Sequence, residues 1–84
     1  MKPLKGVIRI WRQVGDRIEG IAAFHVDAIP FEYSVGRVDN PIVPGLPMRT
    51  SPLVSIIRVG GVEIAETKNS LYVLVDPAPR PQGE

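Results

Sequence analysis

The chain has 84 residues, with ten Lys and Arg against nine Asp and Glu, one His, no Cys, nine Pro and eight Gly. A polypeptide of this size buries only about 60% of the surface its unfolded form exposes, so it has room for one core and none for a separate catalytic domain. The absence of cysteine excludes disulfide frameworks, thiolate zinc sites, iron–sulfur clusters and thiol nucleophiles, and a formal charge of +1 gives no general attraction for phosphate.

At the N-terminus, Met1 to Lys5 is basic and runs into Val7-Ile8-Arg9-Ile10, where Arg9 interrupts what would have to be a signal-peptide core. No run approaches the roughly 20 apolar residues of a membrane helix. The expected setting is the cytosol, away from membranes. Prolines at 3, 30, 41, 44, 47, 52, 77, 79 and 81 interrupt every long helical period, so the chain reads as nearly all β.

Gly6 to Val14 carries β-branched and aromatic residues, Gly15-Asp16 is a Gly-first turn of type II′ character, and Arg17 to Val26 supplies the partner strand. A two-residue loop pairs residues whose numbers sum to 31, which sets Arg12 opposite Glu19 and Trp11 opposite Gly20. This register puts Ile8, Ile10, Val14, Ile21 and Ala23 on one face, and Val7, Trp11, Ile18, Ala22 and Phe24 on the other. Two partly apolar faces suit a curled sheet or small barrel.

Glu32 to Val38 reads as a further strand with a bend at Gly36, and Asp39 to Pro47 as an ordered, irregular, proline-rich loop. A second hairpin follows: Leu53 to Val59, a Gly60-Gly61 turn and Val62 to Thr67, whose pairing sum of 121 sets Arg58 opposite Glu63 and Ile57 opposite Ile64. Lys68-Asn69-Ser70 is a turn in which Asn69 can take a left-handed conformation, and Leu71 to Val75 is the last strand. The expected architecture is a single domain over residues 1–75, an SH3-like barrel or curled antiparallel sheet of five to six short strands. The proline-rich tail over 76–84 is expected to be disordered.

Few residues form sets that could carry chemistry. His25 and Asp27 are two apart, a spacing that puts both on one side of a strand as a base and its orienting carboxylate, but a lone histidine without a neighbouring nucleophile is ordinarily structural. Ser34, Ser51, Ser55 and Ser70 lie in no nucleophile-elbow pattern. Gly60-Gly61 joins two strands rather than leading into a helix, so it is not a phosphate cradle, and the acidic residues lack a calcium-loop spacing. No catalytic residue, cofactor or metal is expected.

Two surfaces remain. Arg9, Arg12 and Arg17 around Trp11 suggest phosphate contacts beside a base-stacking ring, although alternation splits the arginines between faces and Glu19 neutralises Arg12. The loop Pro41-Ile42-Val43-Pro44-Gly45-Leu46-Pro47 has two overlapping Pro-x-x-Pro spacings; its apolar residues either close one end of the sheet or form a contact patch.

The stretches Gly36-Arg37-Val38, Asn40-Pro41, Arg49-Thr50-Ser51-Pro52-Leu53-Val54 and Glu66-Thr67-Lys68-Asn69-Ser70-Leu71-Tyr72-Val73-Leu74 give the second half of the chain a pattern that resembles small phage and prophage proteins. The first 35 residues carry no such resemblance. It brings no catalytic residue with it. What it implies is an accessory protein of a mobile element in a bacterial cytosol, concretely an anti-CRISPR or other anti-defence inhibitor. The same residues have a physical reading: Thr50 and Ser51 hydroxyls satisfy loop amides, and Asn69-Ser70 returns Tyr72 and Leu74 to the core.

The leading expectation is therefore a non-enzymatic protein that binds a host protein or complex through Ile42, Val43, Leu46, Met48 and Arg49. The alternatives are a single-stranded nucleic-acid binder using Arg9, Trp11, Arg37 and Arg49, and a homo-oligomeric or virion component pairing through the edge of Glu32 to Val38.

Overall fold

The computed structural model describes residues 2–34 and 41–79. It contains six strands, β1 (Leu4–Val14), β2 (Arg17–His25), β3 (Pro47–Arg49), β4 (Leu53–Val59), β5 (Val62–Thr67) and β6 (Leu71–Val75), with one helical turn, α1 (Phe31–Ser34). They form one sheet in the order β3-β2-β1-β6-β5-β4. The all-β class holds. Two expectations about the sheet do not: it stays open instead of closing into a barrel, and it is mixed, because β1 and β6 run parallel. That contact joins the first long strand to the last, a long-range pairing that no turn residue announces.

Both hairpin turns have the chemistry their glycines impose. Gly15 takes φ +61° and Asp16 stays at negative φ, as in a type II′ turn, whereas Gly60 and Gly61 both have positive φ, as in type I′. The β4–β5 register follows the sum of 121 from Val59↔Val62 to Ser55↔Glu66, with Arg58 facing Glu63 at 3.6 Å. Near its turn the β1–β2 register follows the sum of 31, with Arg12 opposite Glu19, and then slips twice. Between Arg9 and Arg12 two residues of β1 face the single Gly20, so Trp11 is not its simple partner; further on, Ala23 is the extra residue of β2.

The first slip rephases β1. Ile10 adopts φ +50°, a left-handed conformation rarely taken by a β-branched residue, and this bulge brings Ile8 and Trp11 onto one side. The strict alternation that separated Ile8 from Ile18 and Ala22 is thereby corrected: all three are at most 1% exposed and share a core with Met48, Ala65, Tyr72 and Leu74. Trp11, Ile42, Leu53 and Ile56 pack around it. Gly20 is required there, because a Cβ would sit 2.5 Å from Ile8 Cγ2 and 2.7 Å from the Arg9 carbonyl.

The strand expected over Glu32 to Val38 is overturned where it can be seen. Pro30 presets a helical φ, Tyr33 N–H donates to the Pro30 carbonyl (3.0 Å), and Ser34 Oγ donates to the Phe31 carbonyl (2.7 Å), closing α1. Residues 35–40, including Gly36, Arg37 and Val38, lie outside the described residues. The proline-rich loop ends in the unforeseen strand β3. Past β6, Asp76 turns at φ +51° and Ala78 N–H donates to the Trp11 carbonyl (2.8 Å), so the first residues of the tail are held against β1.

The segments flanking β4 and β6 meet. Lys68 N–H donates to the Pro52 carbonyl (2.9 Å), Asn69 Nδ2 to Ser51 Oγ (3.3 Å), and Ser70 N–H to Thr67 Oγ1 (3.1 Å). Asn69 makes this turn without a positive φ. Tyr72 and Leu74 do return to the core.

Candidate functional site

The loop after α1 is built onto the edge of β2. Pro44-Gly45 occupies the centre of a type II turn, with Gly45 at φ +87° and Leu46 N–H donating to the Val43 carbonyl (3.0 Å). The turn docks through Gly45 N–H to the Ala22 carbonyl (2.7 Å) and Ala22 N–H to the Leu46 carbonyl (3.0 Å), while Ile29 N–H reaches the Ile42 carbonyl (2.8 Å). The chain then enters β3, where Met48 pairs with Gly20 and Arg49 with Glu19.

A groove of about 770 Å³ runs along this edge, and Ile42, Val43, Leu46, Met48 and Arg49, the five residues singled out in the sequence, all line it. Their roles differ. Val43 and Met48 are buried and form its floor, Ile42 packs half-buried on the core, and Leu46 (41% exposed) and the Arg49 side chain reach solvent. The two alternatives left open for this loop meet in one place: Val43 and Met48 lie largely buried in the groove floor, and Leu46 and Arg49 are exposed on its wall and rim.

Arg17 and Glu19 complete the polar rim; the sequence placed Arg17 in the arginine cluster and Glu19 opposite Arg12, and joined neither to the loop. Glu19 sits between Arg12 and Arg49, accepting from Arg49 Nε at 2.9 Å with Arg12 at 3.9 Å. Arg17 donates to the Thr50 carbonyl at 3.0 Å and lies 4.0 Å from Asp16. Pairing Arg12 with Glu19 was visible in the first hairpin, but Arg49 could join them only once β3 was known. Beneath the rim, buried Thr50 accepts from Ile18 N–H through Oγ1 (3.1 Å) and donates to the Ser51 carbonyl (2.8 Å), so its hydroxyl satisfies an amide of β2 rather than one of a loop.

Of the nucleic-acid candidates, Arg49 lies on the groove rim just described. Arg9 is exposed on the strand and paired with Asp76 at 3.5 Å. Trp11 is partly buried and packs against the core, with its Nε1 buried and unbonded among the described residues. Arg37 lies outside the described residues.

His25 and Asp27 do not form a base and its orienting acid. The buried His25 ring accepts the Asp27 backbone N–H at Nδ1 (3.0 Å), which leaves the proton on Nε2 to donate to Tyr72 Oη (3.1 Å), while the Asp27 carboxylate accepts from Lys5 (3.2 Å). Burial lowers the histidine's pKa below its ordinary 6.5, with Asp27 pulling it upward and Lys5 downward. Burial likewise raises that of Tyr72, partly offset by a hydrogen bond with Ser70. This is a neutral packing pair. Among the described residues no three His, Asp or Glu side chains are placed to hold a metal ion, and no helix is long and apolar enough to cross a membrane.

Comparison with protein-family models, curated proteins and solved structures found no match.

Proposed function

We propose that this chain is a non-catalytic binding protein that takes a segment of a partner protein into the groove between the 41–46 loop and β3. The observation that carries the reading is the groove's composition: an apolar floor of Val43 and Met48, an exposed Leu46 on the wall, and Arg17, Glu19 and Arg49 on the rim. Apolar anchoring at the centre and charge-assisted contact at the edge is how compact protein interfaces are built. Two arginines against one glutamate at the rim favour a partner segment carrying a carboxylate beside its apolar anchor. On the resemblance of the second half to phage proteins, the partner is a host protein, and inhibition of host defence is the concrete form of the proposal.

The test compares partner capture by the wild-type chain with capture by a Leu46→Asp/Arg49→Glu variant. Both residues are exposed, so apart from replacing the Arg49–Glu19 ion pair by two like charges, a loss of about 1 kcal/mol, the variant should stay folded, and it should lose the partner by at least about tenfold. Equal capture by the two folded proteins would exclude the groove.

A further inference from the structure

The sheet has two edges, and they are built differently. β3 is three residues long, begins with Pro47, and is flanked by the docked Pro44-Gly45 turn. Shortness, proline and cover are the usual protections of an edge strand. β4 is protected only at its start, where Leu53 N–H donates to the Asp16 carbonyl and a bulge falls at Val54; its seven residues, LVSIIRV, include five aliphatic ones, no proline and one charge. That charge does not guard the edge, because Arg58 is drawn back across the hairpin to Glu63. Among the described residues only β5 pairs with β4.

The outward hydrogen-bonding groups can be assigned from the turn. A two-residue type I′ loop makes Val59 and Val62 a hydrogen-bonded pair, so Val59, Ile57 and Ser55 turn their N–H and C=O toward β5. Ile56 and Arg58 turn theirs outward, and Val54 is the unpaired extra residue of a β-bulge between Leu53 and Ser55. The flanking side chains are apolar and exposed: Val54 59%, Ile57 39% and Val59 60%. Ile57 also ends a cross-strand row, Phe24–Val7–Val73–Ile64–Ile57, that crosses five strands on the face opposite the core.

We infer that β4 pairs antiparallel with β4 of a second copy, joining two sheets about a two-fold axis at Ile56, the centre of the strand. In this register Ile56 meets its own copy in a hydrogen-bonded position and each Arg58 runs opposite the bulged Val54 of the other chain, where the regular pairing ends. The two Arg58 side chains lie at opposite ends of the contact and never face each other. A strand whose single charge is already balanced by Glu63 fits a copy of itself better than a charged peptide. Because β3 is blocked, assembly stops at two copies.

Sedimentation equilibrium of the full chain, from about 1 to about 500 µM, tests this at the low end of interface size. The expected result is a concentration-dependent rise from 9.2 kDa to twice that mass and no further. Val54→Lys/Ile57→Lys, which places lysines on exposed edge positions, should raise the dimer dissociation constant at least about tenfold without changing the circular dichroism spectrum. In the cysteine-free background, Ile56→Cys should cross-link to itself under mild oxidation and Val62→Cys should not. A wild-type chain that stays monomeric throughout, a dimer indifferent to the lysines, open-ended polymers, or equal cross-linking from both cysteines would each overturn the inference.

Discussion

The two hairpins of this molecule use similar residues to different ends. The β4–β5 hairpin keeps one register over most of its length and leaves most of β4 exposed. The β1–β2 hairpin slips register twice and holds Ile8, Ile18 and Ala22 in the centre of the core. A regular ribbon alternates its faces, so an isolated sheet buries only half of its side chains; the bulge at Ile10 bends β1 and gathers more apolar side chains on the inner face than strict alternation would. Regularity makes a hairpin easy to read, and irregularity gives this one its core.

Single substitutions can break that contrast in order of severity. At Gly6, which pairs with His25, a Cβ would lie 2.1 Å from the Phe24 carbonyl oxygen and 2.9 Å from His25 Cα, so Gly6→Ala should cost about 3–5 kcal/mol, most of the stability of so small a domain. Gly61→Ala in the regular hairpin meets no atom within 4 Å and should cost only about 1 kcal/mol for its positive φ. Chemical denaturation measures both, and equal losses would refute the asymmetry.

Ile18→Ala, at a fully buried site, should lose about 2–5 kcal/mol, whereas Ile57→Ala should lose less than about 1 kcal/mol in the monomer. Thr50→Val keeps the shape but leaves the buried Ile18 N–H without its acceptor, a loss of about 1–3 kcal/mol that Thr50→Ser should largely avoid. The opposite sign is expected at Ile10. Glycine has no penalty at φ +50°, and the isoleucine is substantially exposed, so Ile10→Gly should raise the melting free energy by about 1 kcal/mol. A loss there would show that the Ile10 side chain, rather than the bulge, matters.

The smallest effect is the pH response of His25. Its folded pKa lies below 6.5, so the unfolded chain takes up the proton first; stability is complete above about pH 6.5 and declines as the pH falls beneath that value. Protonation also removes the Nδ1 acceptor from Asp27 N–H. Denaturation midpoints between pH 5 and 7.5 should show this slope in the wild type and lose it in His25→Gln; an unchanged slope in the variant would assign it to the carboxylates.

The local features were legible because they depend on neighbours in the chain. Gly15-Asp16 and Gly60-Gly61 announced two turns, and Arg12–Glu19 and Arg58–Glu63 confirmed their registers. What escaped was long-range or exceptional: the parallel contact of β1 with β6, the left-handed Ile10, and the helical turn after Pro30. The groove was half legible. The apolar loop marked its floor and wall, but Arg17 and Glu19 entered only because β3 pairs with β2. The Pro44-Gly45 pair was a type II turn signal that would have shown how this loop folds back.

The binding role of the groove is tested most directly by a photo-cross-linking side chain placed at Leu46 in cells that express the protein, with the same group at Phe24 as a control. Phe24 is also exposed but lies outside the groove. The account predicts one discrete adduct from Leu46, absent when Arg49→Glu is added, and none of that mass from Phe24. The same adduct from both positions, or an adduct from Phe24 alone, would contradict it.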